Sequence, residues 1–225
     1  QAMLYALNQK DFLNGVIGYP EFYKVCKAMF MCGGPYETTA GFADKYESDF
    51  ARAKQLLAEG GYDNTPVVLL HSTDLYVLTN MAPIAKSLME KAGMKVDMQS
   101  MDWQTLVARR AKKDAPDKGG WNVLITSTSG ADSLDPLTYS FISASCDKAW
   151  FGWPCDAEIT RLREAFADET DEARRKEIVE KLQLRAAEVP THAFLGQYNN
   201  AMAIRKNVSG SVVSPVPVFW NIEKK

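Results

Sequence analysis

A loop of small residues carries the acidic side chain that is best placed for ligand binding. The loop spans residues 127–136, follows the apolar stretch 121–126 and contains Asp132. Its small neighbours leave room for a cationic ligand group, and an ion pair is stronger in a closed, water-poor cleft than on the surface. If the apolar stretch is a parallel strand, the loop lies where α/β sheets bind ligands. The pattern therefore predicts that Asp132 contacts the cationic end of a ligand.

Asp135 belongs to the same loop, but its sequence context predicts a structural role. An aspartate can accept hydrogen bonds from the free backbone N–H groups at the start of a helix. Proline is well tolerated at the first helical position, and Pro136 follows Asp135 directly. We therefore predict that Asp135 caps a following helix, which leaves Asp132 free for the ligand.

Large aromatic residues cluster in a second loop, residues 149–154, which reads AWFGWP. Exposed aromatic rings are costly unless they meet another surface. Trp150 and Trp153 therefore either contact the ligand or pack against the neighbouring segment between Cys146 and Cys155. The sequence leaves both interpretations open.

Cysteines and histidines are the other residues that could do chemistry. They are Cys26, Cys32, Cys146, Cys155, His71 and His192. No cysteine pair has CxxC spacing, and nothing ties a histidine to a cysteine as a thiolate nucleophile requires. Nucleotide-binding glycine motifs are also missing from the sequence. Composition alone favours neither free thiols nor disulfides, and we expect no catalytic residue, no metal and no cofactor.

Length and charge limit the classes of function. The chain has 225 residues, 46% of them hydrophobic and 24% charged, with a net charge of −2. No basic stripe indicates nucleic-acid binding, and no apolar run has the roughly 18–20 residues of a membrane span. No signal peptide is visible. The chain opens inside an apolar helical pattern, so we interpret it as a piece of a longer protein.

Alternating helix and strand patterns predict the elements that must position these residues. Helices are predicted from residue 1 to 15, after Ser48 or Asp49 to 60, over 75–92, after Asp102, and over 156–167 and 170–188. Strands are predicted over 66–71, 95–101, 121–126 and 193–195, with 17–41 irregular. Strands separated by such helices form βαβ units. The expected fold class is therefore α/β, with a mostly parallel sheet flanked by helices.

The order of the motifs resembles the dipeptide, oligopeptide and nickel solute-binding proteins of ABC transporters. The matching segments are 1–10 (QAMLYALNQK), 50–62 (FARAKQLLAEGGY), 88–96 (LMEKAGMKV), 101–103 (MDW), 130–136 (GADSLDP) and 168–175 (DETDEARR). They span nearly the whole chain in the family's order. The resemblance implies one lobe of a type II periplasmic-binding-protein architecture, in which two lobes close on a ligand.

The same resemblance implies a domain organisation and a set of partners. Residues 1–207 would form the second ligand-binding lobe, and 208–225 an extended tail returning toward a first lobe that the chain lacks. The protein would be a periplasmic (extracytoplasmic) monomer that delivers a peptide or other small solute to ABC transporter permease subunits, without binding nucleic acid. The remaining alternatives are an α/β enzyme using Cys and His, and the effector-sensing domain of a regulator.

The resemblance also implies a ligand loop around Asp132, which takes the place of the aspartate that pairs with a peptide's α-amino group. Gly130 belongs to this loop, whereas Ser129 and Ser133 replace aromatic residues of the family, so the solute need not be a peptide. In an oxidising compartment we expect a Cys146–Cys155 disulfide, because these cysteines flank a short aromatic turn. Cys26–Cys32 is the second candidate pair.

Overall fold

Helices and short strands alternate along most of the chain. The computed structural model describes residues 1–214, 216 and 218–225. The α-helices are α1 (Ala2–Ala6), α2 (Gln9–Val16), α3 (Phe50–Glu59), α4 (Tyr76–Thr79), α5 (Met81–Lys91), α6 (Trp103–Arg110), α7 (Ala157–Asp168) and α8 (Glu172–Glu188). The strands are β1 (Tyr23–Lys24), β2 (Val67–Ser72), β3 (Val96–Met101), β4 (Val123–Leu124), β5 (Gln197–Tyr198), β6 (Val208–Ser209) and β7 (Glu223–Lys224). Short 3₁₀ helices span Pro20–Phe22, Pro116–Lys118, Gly130–Ser133, Ser140–Ile142 and Cys146–Lys148.

The central sheet is parallel, as the βαβ pattern predicts, with strand order β3-β2-β4. Strand β2 pairs with β3 over its full length, from Val67 opposite Val96 to Ser72 opposite Met101. Leu69 belongs to the main hydrophobic core, whereas Leu70 packs on the other side of the sheet with Leu106 of α6. Because both faces of β2 are covered, its sequence is a continuous apolar run instead of an alternating one.

Two helices predicted as continuous are each divided in two. Asn8 has an extended backbone and caps α2 by accepting a hydrogen bond from the Lys10 backbone N–H (3.0 Å), so α1 ends before it. Asn80 separates α4 from α5, and Pro83 follows in the first turn of α5. A proline is tolerated there because an N–H group in the first turn has no partner within the helix.

Two predicted strands differ from those observed. β4 begins only at Val123 because the Asn122 side chain, not its backbone, accepts the hydrogen bond from the Val68 N–H (2.8 Å). The strand predicted over residues 193–195 is absent from this described stretch, and β5 forms two residues later, antiparallel to β1. Gly196 lies between, with φ of 112°, and a Cβ atom there would lie 2.7 Å from Leu13 Cδ1. The prediction failed because this turn allows pairing only after Gly196.

The predicted tail is not simply extended. Val208–Ser209 pairs antiparallel with Glu223–Lys224, so the segment folds back on itself. Pro215 and Pro217 of the predicted tail lie outside the described residues. Within the described ranges, no helix is long and apolar enough to span a membrane.

Helices α7 and α8 pack against each other and are joined by an ion pair. Asp156 caps α7 by accepting a hydrogen bond from the Ile159 N–H (2.9 Å), and its other carboxylate oxygen lies 2.7 Å from Arg185 Nη2. The Arg185 hydrogen bond and the Ile159 N–H lower the pKa of Asp156. Asp171 caps α8 with the same geometry, accepting from the Arg174 N–H (2.9 Å).

We predict that Asp156→Ala lowers the free energy of unfolding by about 1 kcal/mol for the lost cap, plus up to about 1 kcal/mol for the lost ion pair. Asp171→Ala is the matched control, and it should lower the free energy of unfolding only by the contribution of its helix cap. The Asp156 pKa is lower in the folded state, so its contribution is complete above the unfolded pKa of about 3.9 and is lost as pH falls through the folded value. Urea unfolding at neutral and acidic pH measures both variants; equal losses at neutral pH would contradict a contribution from Arg185.

Candidate functional site

A pocket of about 300 Å³ opens at the carboxyl edge of the central sheet. Loops after all three parallel strands line it, and Tyr198 of β5 adds a further wall. The lining residues are Leu75, Tyr76, Val77 and Leu78 after β2, Trp103 after β3, Thr126 and Ser127 after β4, and Tyr198. Parallel strands end at one edge, so these loops must meet there. Its volume lies at the lower end of the range for small-molecule sites, roughly 300–1,000 Å³.

Trp103 is held at the pocket by a carboxylate from the neighbouring loop. Asp74 Oδ1 accepts hydrogen bonds from the Trp103 backbone N–H (2.8 Å) and from Ser72 Oγ (3.0 Å). Asp102 caps the same helix by accepting from the Thr105 N–H (3.0 Å). The loop after β2 is thereby tied to the start of α6, and Asp74 is a positioning residue for the Trp103 ring.

Asp132 lies in the 3₁₀ helix Gly130–Ser133, beyond the lining residues of the pocket. Its side chain is exposed, and its Oδ2 accepts a hydrogen bond from Thr128 Oγ1 (2.9 Å). The carboxylate is therefore open to solvent, in the loop that follows β4. Its contact with a ligand stays a prediction.

The other residues of the predicted ligand loop shape its backbone. Ser129 Oγ accepts a hydrogen bond from the Ala131 N–H (3.2 Å), and Ser133 Oγ donates to the Gly130 carbonyl (3.1 Å). A Cβ atom at Gly130 would lie 2.7 Å from Met31 Sδ, so a larger residue there would displace the Met31 side chain. None of these three residues lines the pocket, and ligand contact by them stays a prediction.

Asp135 caps a turn instead of the predicted helix. Its Oδ1 accepts hydrogen bonds from the backbone N–H groups of Leu137 (2.7 Å) and Thr138 (3.0 Å). The described chain forms no α-helix between residues 136 and 156. The capping chemistry of the prediction is therefore right, but the helix is wrong, because an aspartate stabilises an isolated turn with the same hydrogen bonds.

The aromatic loop packs against its surroundings. The Trp150 ring lies 4.5 Å from that of Phe141, and the Trp153 ring lies 6.3 Å from that of Trp121. Lys113 Nζ lies 5.0 Å from the Trp153 ring centroid. Neither Trp150 nor Trp153 lines the pocket. These contacts support the interpretation that the two tryptophans pack against neighbouring segments. A ligand contact by either tryptophan stays a prediction.

All four cysteines lie within the described ranges and are paired. The structure joins Cys26 to Cys32 and Cys146 to Cys155, with Cα–Cα distances of 5.9 and 4.1 Å. Both distances are below the limit of about 7 Å beyond which a bridge cannot form. The Cys26–Cys32 loop supports the predicted ligand loop, because the Met31 N–H donates to the Ser133 carbonyl (2.9 Å).

The two histidines have structural surroundings. His71 contacts Ser100 Oγ (2.8 Å) and the Thr79 carbonyl (2.9 Å) through its ring nitrogens. Burial lowers the pKa of His192 to about 4, so its ring is neutral at pH 7. With the cysteines in disulfides, neither histidine has a thiol to activate.

Two buried glutamines hold the irregular segment beneath the predicted ligand loop. Gln183 accepts a hydrogen bond from the Met29 N–H (3.0 Å) and donates to the carbonyls of Thr38 and Ala40. Gln9 accepts from the Cys26 N–H (2.8 Å) and donates to the Cys26 carbonyl (2.7 Å). These side chains replace the hydrogen bonds that secondary structure would otherwise provide.

We predict that Gln183→Ala lowers the free energy of unfolding by about 2–4 kcal/mol, because one buried and two part-buried backbone groups lose their partner. Gln104→Ala is the matched control: Gln104 is exposed on α6 and should change stability by less than about 0.5 kcal/mol. Denaturant unfolding measures both variants, and hydrogen exchange should be faster at the Met29 amide in Gln183→Ala. A loss no larger than that of Gln104→Ala would contradict this role.

The pocket residues other than Tyr198 could have been found from the sequence. Thr126 ends a predicted strand, and the others follow one within seven residues. The rule that placed Asp132 after β4 applies equally to β2 and β3. Applied to all three strands, it would have indicated Tyr76 and Trp103. Tyr198 belongs to a separate two-stranded sheet, and no local pattern predicts its approach.

A parallel sheet with an open pocket at its carboxyl edge defines a small-ligand-binding α/β lobe. Residues 1–151 match the family described as "Bacterial extracellular solute-binding proteins, family 5 Middle". The chain belongs to this family, as the motif order predicted. Its members are solute-binding proteins and not enzymes, which disfavours the enzyme alternative.

Two curated relatives support this assignment. The first is the probable peptide ABC transporter periplasmic-binding protein y4tO of Sinorhizobium fredii. It is 30% identical to this chain in an alignment that covers all of this chain and 42% of y4tO. The second is the oligopeptide-binding protein AppA of Bacillus subtilis. It is 24% identical to this chain in an alignment that covers 80% of this chain and 35% of AppA. The chain thus spans less than half the length of these relatives.

Solved structures share the fold. AgaA from A. tumefaciens R10, in complex with agropinic acid, matches with a TM-score of 0.78 at 21% identity, covering all of this chain and 46% of that one. AppA from Bacillus subtilis, in complex with a nonapeptide, matches with a TM-score of 0.76 at 20% identity, covering 95% and 44%. The chain therefore has the α/β fold of one lobe of a type II periplasmic binding protein, as predicted.

Proposed function

We propose that this chain forms one lobe of an extracytoplasmic solute-binding protein that captures a small solute for an ABC importer. The observation that carries the proposal is the open pocket at the carboxyl edge of the sheet, in a chain that spans 42% of its relative y4tO. One wall of a cleft would belong to this chain, and the remaining length of the family's proteins would supply the other. Closure of two lobes then excludes water from the bound solute.

The solute, partners and location are part of the same proposal. The relatives' names support a peptide as one candidate, since y4tO is described as a peptide transporter component and AppA as an oligopeptide-binding protein. AgaA in complex with agropinic acid supports other small solutes. We propose a periplasmic monomer that presents its solute to ABC transporter permease subunits.

Residues 1–207 form the proposed lobe, and the tail 208–225 would pack on the part of the longer protein that this chain does not span. Large apolar side chains of the tail support this assignment. The exposed fractions are 103% for Val213, 73% for Phe219 and 87% for Trp220. Burying such a side chain stabilises by about 1.5–3 kcal/mol, so a covering surface would be strongly favoured.

Asp132 is the proposed contact for a cationic ligand group. Its exposed carboxylate accepts one side-chain hydrogen bond, from Thr128, and an ionised carboxylate has several further acceptor positions. The flanking residues are small and leave room on the solvent side. Ser129, Gly130 and Ser133 would contribute the shape of the loop, and Trp150 and Trp153 would contact the solute only if the second lobe brings it to them.

We predict that Asp132→Asn weakens binding of a cationic solute by about 1–3 kcal/mol, because a charge-assisted hydrogen bond is lost. The full-length gene product is first screened by melting temperature against peptides and small solutes, since ligand binding stabilises the folded state by mass action. Calorimetry then compares the variant with Asp117→Asn, an exposed control before β4. No stabilising solute in the screen would contradict the proposed function, and equal affinity of the two variants would remove Asp132 from the site.

The chain alone should fold but bind its solute more than tenfold more weakly than the full-length protein. With one wall missing, an ion pair between the solute and Asp132 stays exposed and is worth only about 0–1 kcal/mol. Calorimetry with the same solute on both lengths checks this expectation. Equal affinity would place the whole site within this chain and would exclude the two-lobe arrangement.

A further inference from the structure

The pocket wall is aromatic and carries no formal charge. Tyr76, Trp103 and Tyr198 provide three rings, and Thr126 and Ser127 provide two hydroxyl groups. Among the described residues that line the pocket, none is Asp, Glu, Lys, Arg or His. A charged ligand group placed against this wall would therefore lose water without gaining an ionic partner.

Carboxylates beside the lining residues in sequence already have hydrogen-bond partners. Asp74, next to Leu75, accepts from the Trp103 N–H, and Asp102, next to Trp103, accepts from the Thr105 N–H. An anionic ligand group at this edge would meet both negative charges. A cationic group would gain exposed ion pairs, which contribute little, and a weak cation–π contact with a solvated ring.

Tyr76 supplies the largest exposed apolar surface that a ligand could cover in the pocket. Its side chain is 78% exposed although it lines the pocket, and Leu75 beside it is 38% exposed. Aromatic rings that stack gain an attraction beyond the burial of their area. An uncharged ring would cover this surface, and its polar substituents could bond to the hydroxyls of Thr126 and Ser127.

We propose that this wall binds an uncharged ring of the solute, such as a neutral aromatic side chain, against the Tyr76 and Trp103 side chains. The inference rests on the proposed solute-binding function and names the chemical class that the pocket accepts. A cationic end of the same solute would lie outside the pocket, near Asp132. Specificity for the ring is thus separate from recognition of charge.

Ligand titrations of the 225-residue chain followed by NMR test the proposal. The probes are p-cresol, which is neutral, p-toluate, which is anionic, and 4-methylbenzylammonium, which is cationic. They are titrated against the unmodified chain and against Asp132→Asn, in which the exposed carboxylate of the loop after β4 is removed. The indole N–H signal of Trp103 reports binding at the pocket.

We expect p-cresol to shift the Trp103 signal and to bind about tenfold or more tightly than p-toluate, because an unpaired charge is costly to desolvate. In Asp132→Asn the cationic probe should bind more weakly than p-cresol. Tyr76→Ala should weaken p-cresol binding severalfold. Tyr19→Ala is the matched control, since Tyr19 is 65% exposed and does not line the pocket.

Charged probes that bind the Asp132→Asn chain as tightly as p-cresol would overturn the proposal, as would a Tyr76→Ala chain with unchanged affinity. Absence of p-cresol binding would also overturn it. If solutes still raise the melting temperature of the full-length protein in that case, solute binding stands and only the ring assignment fails. If p-cresol binds as expected but no solute stabilises the full-length protein, the proposed function fails instead.

Discussion

The parallel pairing of β2 with both neighbouring strands is the constraint on which the site depends. β2 lies between β3 and β4 and has apolar side chains on both faces, with Leu69 in the main core and Leu70 against α6. Burying each of these leucines stabilises the fold by about 1.5–3 kcal/mol. Parallel strands end at one edge, so the chain must bring the loops after β2, β3 and β4 together. The pocket is a geometric consequence of this pairing.

A second requirement comes from the long irregular segment between α2 and α3. Its buried backbone groups lie outside any sheet or helix, and Gln9 and Gln183 provide hydrogen bonds for several of them. The Cys26–Cys32 disulfide closes part of the segment, and Met31 donates to the Ser133 carbonyl. Two amide side chains far apart in sequence therefore support the loop that carries Asp132.

Local patterns predicted most helices and the parallel sheet, because a buried strand and an amphipathic helix have distinct periods. Local patterns could not predict contacts between residues that are far apart in the sequence. Gln183 lies in the apolar stripe of α8 between Val179 and Ala186, which hints at burial, but its partners are more than 140 residues away. Asn122, similarly, shortens β4 through one side-chain bond that no propensity reveals. The motif order identified the family, whereas the pocket required knowledge of which loops meet.

The polarity of the site follows from the positions and hydrogen-bond partners of its acidic residues. Asp74 accepts hydrogen bonds from a helix N–H and a buried serine, so one of its carboxylate oxygens fixes the start of α6 at Trp103. Asp132 keeps an exposed carboxylate beyond the pocket. An exposed ion pair is worth about 0–1 kcal/mol, whereas burial of a large side chain is worth about 1.5–3 kcal/mol. In the open lobe the aromatic wall therefore outweighs the charge, and Asp132 gains strength only where closure removes water around it.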